Sequence, residues 1–190
     1  MANFVYLLVE EKTGEALVVD SGWETGPIVS AARDAGARVK YIVATHEHFD
    51  HSATLRELAD EVGGEVVAHR DSPLSCDRRV GEGDELLIGR EKVKVLHTPG
   101  HTEDSICLFD GKNVFTGDTL FIGNIGKFER GMAEVMFHSL HDVIAKLPGR
   151  TQVCPGHDYG EVPGRTLGEE VKLNPFLGPG DLRTFLALFS

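Results

Sequence analysis

Residues 44–52 read ATHEHFDHS, and within them His46, His48, Asp50 and His51 place four potential metal ligands in six positions. Protonated together, these imidazoles would repel one another, and buried without partners they would cost stability. A metal ion removes both difficulties, since neutral imidazole and carboxylate are good ligands for zinc, iron and manganese. The loop follows directly on VKYIVAT, a run of the kind that forms a buried strand. It leads into SATLRELADEVGG, whose spacing predicts a helix with Leu55, Leu58 and Val62 on one face and Ser52 as its N-cap.

A metal site needs ligands from elsewhere, and three more segments supply them. TPGHT (98–102), TGDT (116–119) and PGHD (155–158) each come directly after a strand-like run and add His101, Asp118 and His157. Loops at one edge of packed sheets converge, and a rigid scaffold then holds their side chains in place. Seven ligands are too many for one tetrahedral ion. They fit two ions sharing a carboxylate, spaced about 3.5–4 Å apart. Side chains at alternate positions of an extended segment face the same way, so His46 and His48 address one ion while Asp50 and His51 turn toward the other. Gly100, Gly117 and Gly156 each precede a ligand and allow a sharp turn, and Pro99 and Pro155 stiffen two of these turns. Any one such His or Asp is ordinarily a cap, a turn former or a surface group; recurrence at four strand ends is not. His69, His97, His138 and His141 fall outside the pattern, the last two as surface or packing residues on a helix.

The chain has 190 residues, 41% of them hydrophobic and 26% charged, with a net charge of −11. That is enough for one well-buried domain, taken as residues 1–190 with 166–190 as a short C-terminal helical tail. The acidic balance argues against a nucleic-acid surface, so an anionic substrate must meet a local concentration of the few cations. The three cysteines, Cys76, Cys107 and Cys154, form no CxxC pair and read as reduced thiols of a cytoplasmic protein. MANFVYLLVEEKTGEALVVD reads as a hairpin rather than a signal peptide, and no run has the length of a membrane span. GPIVSAARDAG has helical spacing and ends on a glycine. ELLIG, EKVKVLHT, SICLFDG and NVFTGD read as strands, HSLHDVIAKLPG as an amphipathic helix, TQVCPG as the last strand, and the remainder as one or two short helices. Strands in runs with few helices imply two sheets with helices packed outside.

With these segments in place, the chain resembles the metallo-β-lactamase-fold hydrolases. THEHFDH, TPGHT, FTGDTLF and PGHDY match that superfamily in order, over essentially the whole chain. Within it, GKFERGMAEVM (126–136) and TLGEEVKLNPFL (166–177) are most similar to hydroxyacylglutathione hydrolase (glyoxalase II) and its shorter bacterial relatives. The resemblance implies an α/β fold, an αβ/βα four-layer sandwich of two mixed sheets flanked by helices, with two divalent ions at one edge. It implies zinc, with iron or manganese as other occupants. His46, His48 and His101 would hold the first ion, Asp50, His51 and His157 the second, and Asp118 would bridge them. The implied reaction is hydrolysis of a thioester such as S-lactoylglutathione by a metal-activated hydroxide, with Asp50 assisting the water's proton. Lys127 and Tyr159 match positions that contact glutathione, with Arg130 and Lys172 as weaker candidates; a solvated lysine is the plain alternative for Lys127. Asp20 orients a histidine or caps its strand. The expected partner is a small glutathione conjugate, with no nucleic acid or membrane, and the expected state is a monomer or small homo-oligomer.

Glu129 stands where that family has an aromatic residue, and after NPFL the chain carries only GPGDLRTFLALFS in place of a helical domain. The apolar residues Phe185, Leu186, Leu188 and Phe189 are expected to pack on the domain. The chain is similar as well to the persulfide dioxygenases, which by resemblance use one iron held by His46, His101 and Asp118. Other hydrolases of the superfamily, acting on lactones or related esters, share the same segments.

Overall fold

A computed structural model describes residues 2–189. The stretch EALVV forms β2 (Glu15–Val19) and shows why the strands here read as continuous apolar runs. Leu17 and Val19 face a second sheet, whereas Ala16 and Val18 face helices, so both sides of the strand are buried. β1 (Tyr6–Val9) pairs antiparallel with β2, and β3 (Arg38–Val43), β4 (Glu65–His69) and β5 (Arg78–Val80) follow in parallel to give the order β1-β2-β3-β4-β5. Parallel neighbours need crossovers, supplied by α1 (Gly26–Asp34), by α2 (Phe49–Ser52) with α3 (Leu55–Val62), and between β4 and β5 by the non-helical segment 70–77. Gly36, at φ 60°, ends α1 in the left-handed conformation its sequence position predicts.

The second sheet contains β6 (Glu85–Ile88), β7 (Glu91–His97), β8 (Ile106–Phe109), β9 (Asn113–Gly117), β12 (Gln152–Pro155) and β13 (Arg165–Thr166) in the order β13-β12-β9-β8-β7-β6. A two-strand ribbon, β10 (Leu120–Phe121) with β11 (Asn124–Ile125), lies outside it. Ile106, Leu108, Val93 and Val95 point into the space between the sheets, while Cys107, Val114, Leu96 and Val153 point out against α4 (Ala133–His138) and Phe185 of α6 (Leu182–Ala187). The result is the expected helix–sheet–sheet–helix sandwich. Among the described residues no helix is long and apolar enough to cross a membrane.

Two helices differ from their sequence reading. SATLRELADEVGG is not one helix capped at Ser52: α2 ends at Ser52, and α3 restarts after Thr54. The Thr54 hydroxyl donates to the Ser21 carbonyl at 3.1 Å, and Ser52 Oγ donates to the Glu47 and His48 carbonyls at 3.1 and 3.0 Å, so Ser52 braces the histidine loop instead. The helix at HSLHDVIAKLPG starts earlier, at Ala133, and opens into a wider π turn over Ser139–Val143. There Ser139 Oγ donates to the Pro99 carbonyl at 2.6 Å, tying the turn to the TPGHT loop.

In the tail, α5 (Leu167–Leu173) begins with a Thr166–Glu169 capping box. Its fully buried Glu170 meets Arg165 at 3.0 Å and accepts from the Gly123 amide at 2.9 Å and Asn174 Nδ2 at 3.0 Å. Asn174 Nδ2 also donates to the Asn124 carbonyl at 3.0 Å, so the β10–β11 ribbon is fastened to α5 by buried polar groups.

Leu86 is 1% exposed and its neighbour Leu87 is 45% exposed. Leu86→Ala is expected to lower unfolding free energy by about 2–5 kcal/mol. Leu87→Ala should stay within about 0.5 kcal/mol of the parent. Urea denaturation of both variants checks the facing of β6, and equal losses would contradict it.

Candidate metal centre

Four strand ends bring the ligand-type side chains to one edge of the sandwich. β3 delivers His46, β7 leads to His101, β9 to Asp118 and β12 to His157. The Ile106 amide donates to the Thr45 carbonyl at 2.8 Å and locks the two sheets together at this edge. The Gly156 amide donates to the Gly117 carbonyl at 2.8 Å and joins the last two loops. Gly156 has no room for a side chain: a Cβ there would lie 2.6 Å from Asp118 Oδ1 and 2.8 Å from His51 Cε1.

All seven sequence-predicted ligands converge. Potential ligand atoms lie within 4.8 Å of one another in three overlapping sets: His46, His48 and His101; His46, His51 and Asp118; and Asp50, His51 and His157. The Asp118 carboxylate sits among them, 3.3 Å from His51 Nε2, 3.4 Å from His157 Nε2 and 3.6 Å from His101 Nε2. Asp50 Oδ2 is 3.4 Å from His157 Nε2, and His51 Nε2 is 3.2 Å from His157 Nε2. For ligands about 2.0–2.1 Å from a tetrahedral ion, the edges of the tetrahedron are about 3.3 Å. The spacings therefore suit atoms grouped around cations.

Two of the buried polar atoms left without partners belong to the same cluster. His46 Nε2 and Asp118 Oδ1 are buried and bond to nothing in the protein, although such atoms ordinarily find a partner. Burial holds His46 well below its ordinary pKa and also lowers His101, so both rings are neutral at pH 7 and free to act as ligands. Burial opposes ionisation of Asp118, but the adjacent imidazoles of His157 and His51 outweigh it and hold the carboxyl well below the usual range. Burial likewise opposes the charged form of His51, yet Asp20 and Asp118 raise its pKa to about 10. In the metal-free protein His51 therefore holds a proton that a cation would replace.

Outer contacts aim the rings. Asp20, at φ 56°, faces His51 Nδ1 at 2.8 Å and accepts from the Thr45 amide at 2.8 Å, so it both orients a histidine and anchors its neighbouring strand. Thr45 Oγ1 lies 3.0 Å from His46 Nδ1, and His101 Nδ1 meets the Lys127 carbonyl at 2.5 Å. Asn3 Nδ2 donates to Asp50 Oδ2 at 3.0 Å. Of these only Asp20 is visible in the sequence; a backbone acceptor such as the Lys127 carbonyl has no residue signature.

A cleft of about 940 Å³ opens over the cluster, lined by His48, Asp50, His101, Asp118, Lys127 and Tyr159 together with aromatic and aliphatic side chains. Tyr159 stacks on His157 with ring centroids 4.5 Å apart. Lys172 is exposed on α5 and does not line the cleft, and the Arg130 side chain lies outside the described part of the structure. His138 is exposed and paired with Asp142 at 2.6 Å, and His141 stacks on Phe137, both away from the cluster. His97 stacks on buried His69 instead of joining the centre. Burial pushes the Cys107 thiol up to about 12 and Cys154 to about 11, which leaves neither as a thiolate near neutral pH.

The family model described as the metallo-beta-lactamase superfamily matches residues 2–72 and 61–157. The chain belongs to that superfamily. Among curated members it is 37% identical over 170 residues to the cytoplasmic hydroxyacylglutathione hydrolase of Arabidopsis thaliana, covering 83% of this chain and 64% of that protein. It is 36% identical over 183 residues to the mitochondrial persulfide dioxygenase ETHE1 of Homo sapiens, covering 92% of this chain and 71% of that one. The crystal structure of ETHE1 from Myxococcus xanthus superposes with a TM-score of 0.91 at 30% identity, covering 98% of this chain and 84% of that one. The chain thus spans just under two thirds of the length of the hydrolase and somewhat more of the dioxygenase. The chain is thus similar to two kinds of enzyme of one superfamily at nearly the same identity.

Asp20→Ala is expected to weaken metal retention by about 10–100-fold, because His51 loses the partner that fixes its ring. Competition with a chromogenic chelator measures this, and an unchanged affinity would remove Asp20 from the site.

Proposed function

We propose that this protein is a dinuclear metal-dependent hydrolase that cleaves thioesters of anionic thiols, with S-lactoylglutathione as the reference substrate. The observation that carries the reading is the place of Asp118, whose carboxylate lies within 3.6 Å of ligand nitrogens from both groups, His101 Nε2 of the first and His51 Nε2 and His157 Nε2 of the second. His46, His48 and His101 would hold one ion, Asp50, His51 and His157 the other, and Asp118 both, with zinc as the proposed metal. Bound there, the ions would supply Lewis acidity and lower the pKa of water to about 7.

The chain's own groups do the rest. Neutral His46 and His101 are ready as donors, and ionised Asp118 offsets the positive charge gathered at the centre. Asp50 Oδ2, held by Asn3, faces the cleft and accepts the proton of the attacking water. The water oxygen bonds to the acyl carbon, the C–S bond breaks, and the sulfur leaves as a thiolate that takes up a proton. The products are a carboxylic acid and a thiol. A thiolate is a good leaving group, so no strong acid is needed beside the sulfur. Lys127 draws the anionic thiol portion into an otherwise acidic protein, and Tyr159 flanks the entrance with its ring. The three free cysteines fit a cytoplasmic setting.

A second reading, an iron-dependent persulfide dioxygenase using His46, His101 and Asp118, is favoured by the 0.91 TM-score to the Myxococcus xanthus ETHE1 structure. The two separate in one experiment. Zinc-loaded protein is expected to consume S-lactoylglutathione, followed by loss of thioester absorbance, and to leave oxygen untouched when given glutathione persulfide. Oxygen uptake by a protein holding a single iron, without thioester loss, replaces the first reading with the second.

Asp118→Ala is expected to abolish turnover together with retention of the metal pair, read by elemental analysis after dialysis. Lys127→Ala should raise KM several-fold at nearly constant kcat, because it removes binding energy common to substrate and transition state. Steady-state kinetics at low ionic strength test this, and an unchanged KM leaves Lys127 without a role.

A further inference from the structure

α6 adds a wall to the cleft that the chemistry of the metal centre does not call for. Fully buried Phe185 anchors it, with ring centroids 5.5 Å from Phe137 and 6.4 Å from Phe128. Asp181 caps its start by accepting from the Thr184 amide at 3.0 Å. Leu186 and Phe189 on and beyond this helix line the cleft yet remain 43% and 41% exposed. Phe189 stacks on Phe176 at 5.5 Å and meets Phe128 edge-on at 5.0 Å, giving an aromatic surface continuous with Ile125 and Phe121.

Beyond the metal cluster, the described polar side chains lining the cleft are Asn124, Lys127 and Tyr159. Asn124 Oδ1 already accepts from the Ile125 amide at 2.8 Å. Lys127 is exposed and forms no ion pair among the described residues, in a chain of net charge −11. A peptide-like thiol laid on this wall would turn amides against ring faces that offer them no hydrogen bonds, at a cost in free energy. An alkyl or aryl group would instead remove water from both surfaces. One cation at the rim fits one anionic end.

We propose that the wall formed by Phe128, Phe176, Leu186 and Phe189 is a binding subsite for an apolar chain or ring that ends in a carboxylate at Lys127. Its assignment as the thiol half of the substrate rests on the hydrolase reading above. The ligand class is an ω-carboxylated alkyl or aryl thiol, bulkier and far less polar than a tripeptide.

The test pairs binding with turnover. Calorimetric titration of the metal-free protein compares two unreactive thioethers, S-ethyl-8-mercaptooctanoate and S-ethylglutathione. The octanoate thioether is expected to bind at least ten-fold more tightly, to lose most of that advantage as its uncharged amide, and to weaken ten-fold or more in Leu186→Asp and in Phe189→Asp. Both substitutions lie at half-exposed positions and leave the buried anchor Phe185 in place. Tighter binding of the glutathione thioether, or indifference to both substitutions, overturns the subsite. Zinc-loaded protein is then given the S-acetyl thioesters of 8-mercaptooctanoate and glutathione, with the higher kcat/KM expected for the first. The expected order of binding with no hydrolysis of either thioester supports the subsite and sinks the hydrolase reading alone.

Discussion

A single carboxylate, Asp118, sets the terms for the rest of the molecule. It stands within 3.6 Å of nitrogen atoms from His51, His101 and His157, which come from three separate loops. A buried anion in such company is stable only while those loops keep their positions, and their positions depend on four strands of two different sheets. The sandwich can be understood as the frame that holds these strand ends at one edge. The Thr45–Ile106 bond between sheets and the Gly156–Gly117 bond between loops keep that edge closed. Asp20 performs a smaller version of the same task, spending a strained backbone conformation to face His51.

Much of this was legible in the chain because the signals repeat. A His or Asp shortly after a strand-like run occurs four times, three of them with a glycine directly before it, and repetition separates a site from scattered polar residues. The layered fold was legible because doubly buried strands such as EALVV show no polar alternation, while KVKVL, exposed on one side, does. What escaped was tertiary in origin. The break between α2 and α3 comes from a bond between the Thr54 hydroxyl and a carbonyl more than thirty positions earlier. The His101–Lys127 contact uses a backbone oxygen that every residue has. The strands β10, β11 and β13 are two residues long, too short for any periodicity to register.

The contents of the cleft divide along the chain. Six of the seven converging side chains come before or at Asp118, and the seventh, His157, completes them. The apolar surface facing them is built from residues after Asp118, notably Phe128, Phe176 and Phe189. The chain is similar to a hydroxyacylglutathione hydrolase and to a persulfide dioxygenase at nearly the same identity.

The Glu170–Asn174 network shows how that later segment is attached. Its bonds reach the Gly123 amide and the Asn124 carbonyl, so α5 grips the ribbon by its main chain and ignores its side chains. The polar mooring is thus blind to the identity of the ribbon's side chains, and Leu120, Ile122 and Ile125 add a separate apolar hold by packing into the core with Leu167 and Phe185. A different tail that kept Glu170 and Asn174 together with the core residues Leu167, Leu177 and Phe185 would re-line the entrance while the reactive edge stayed in register.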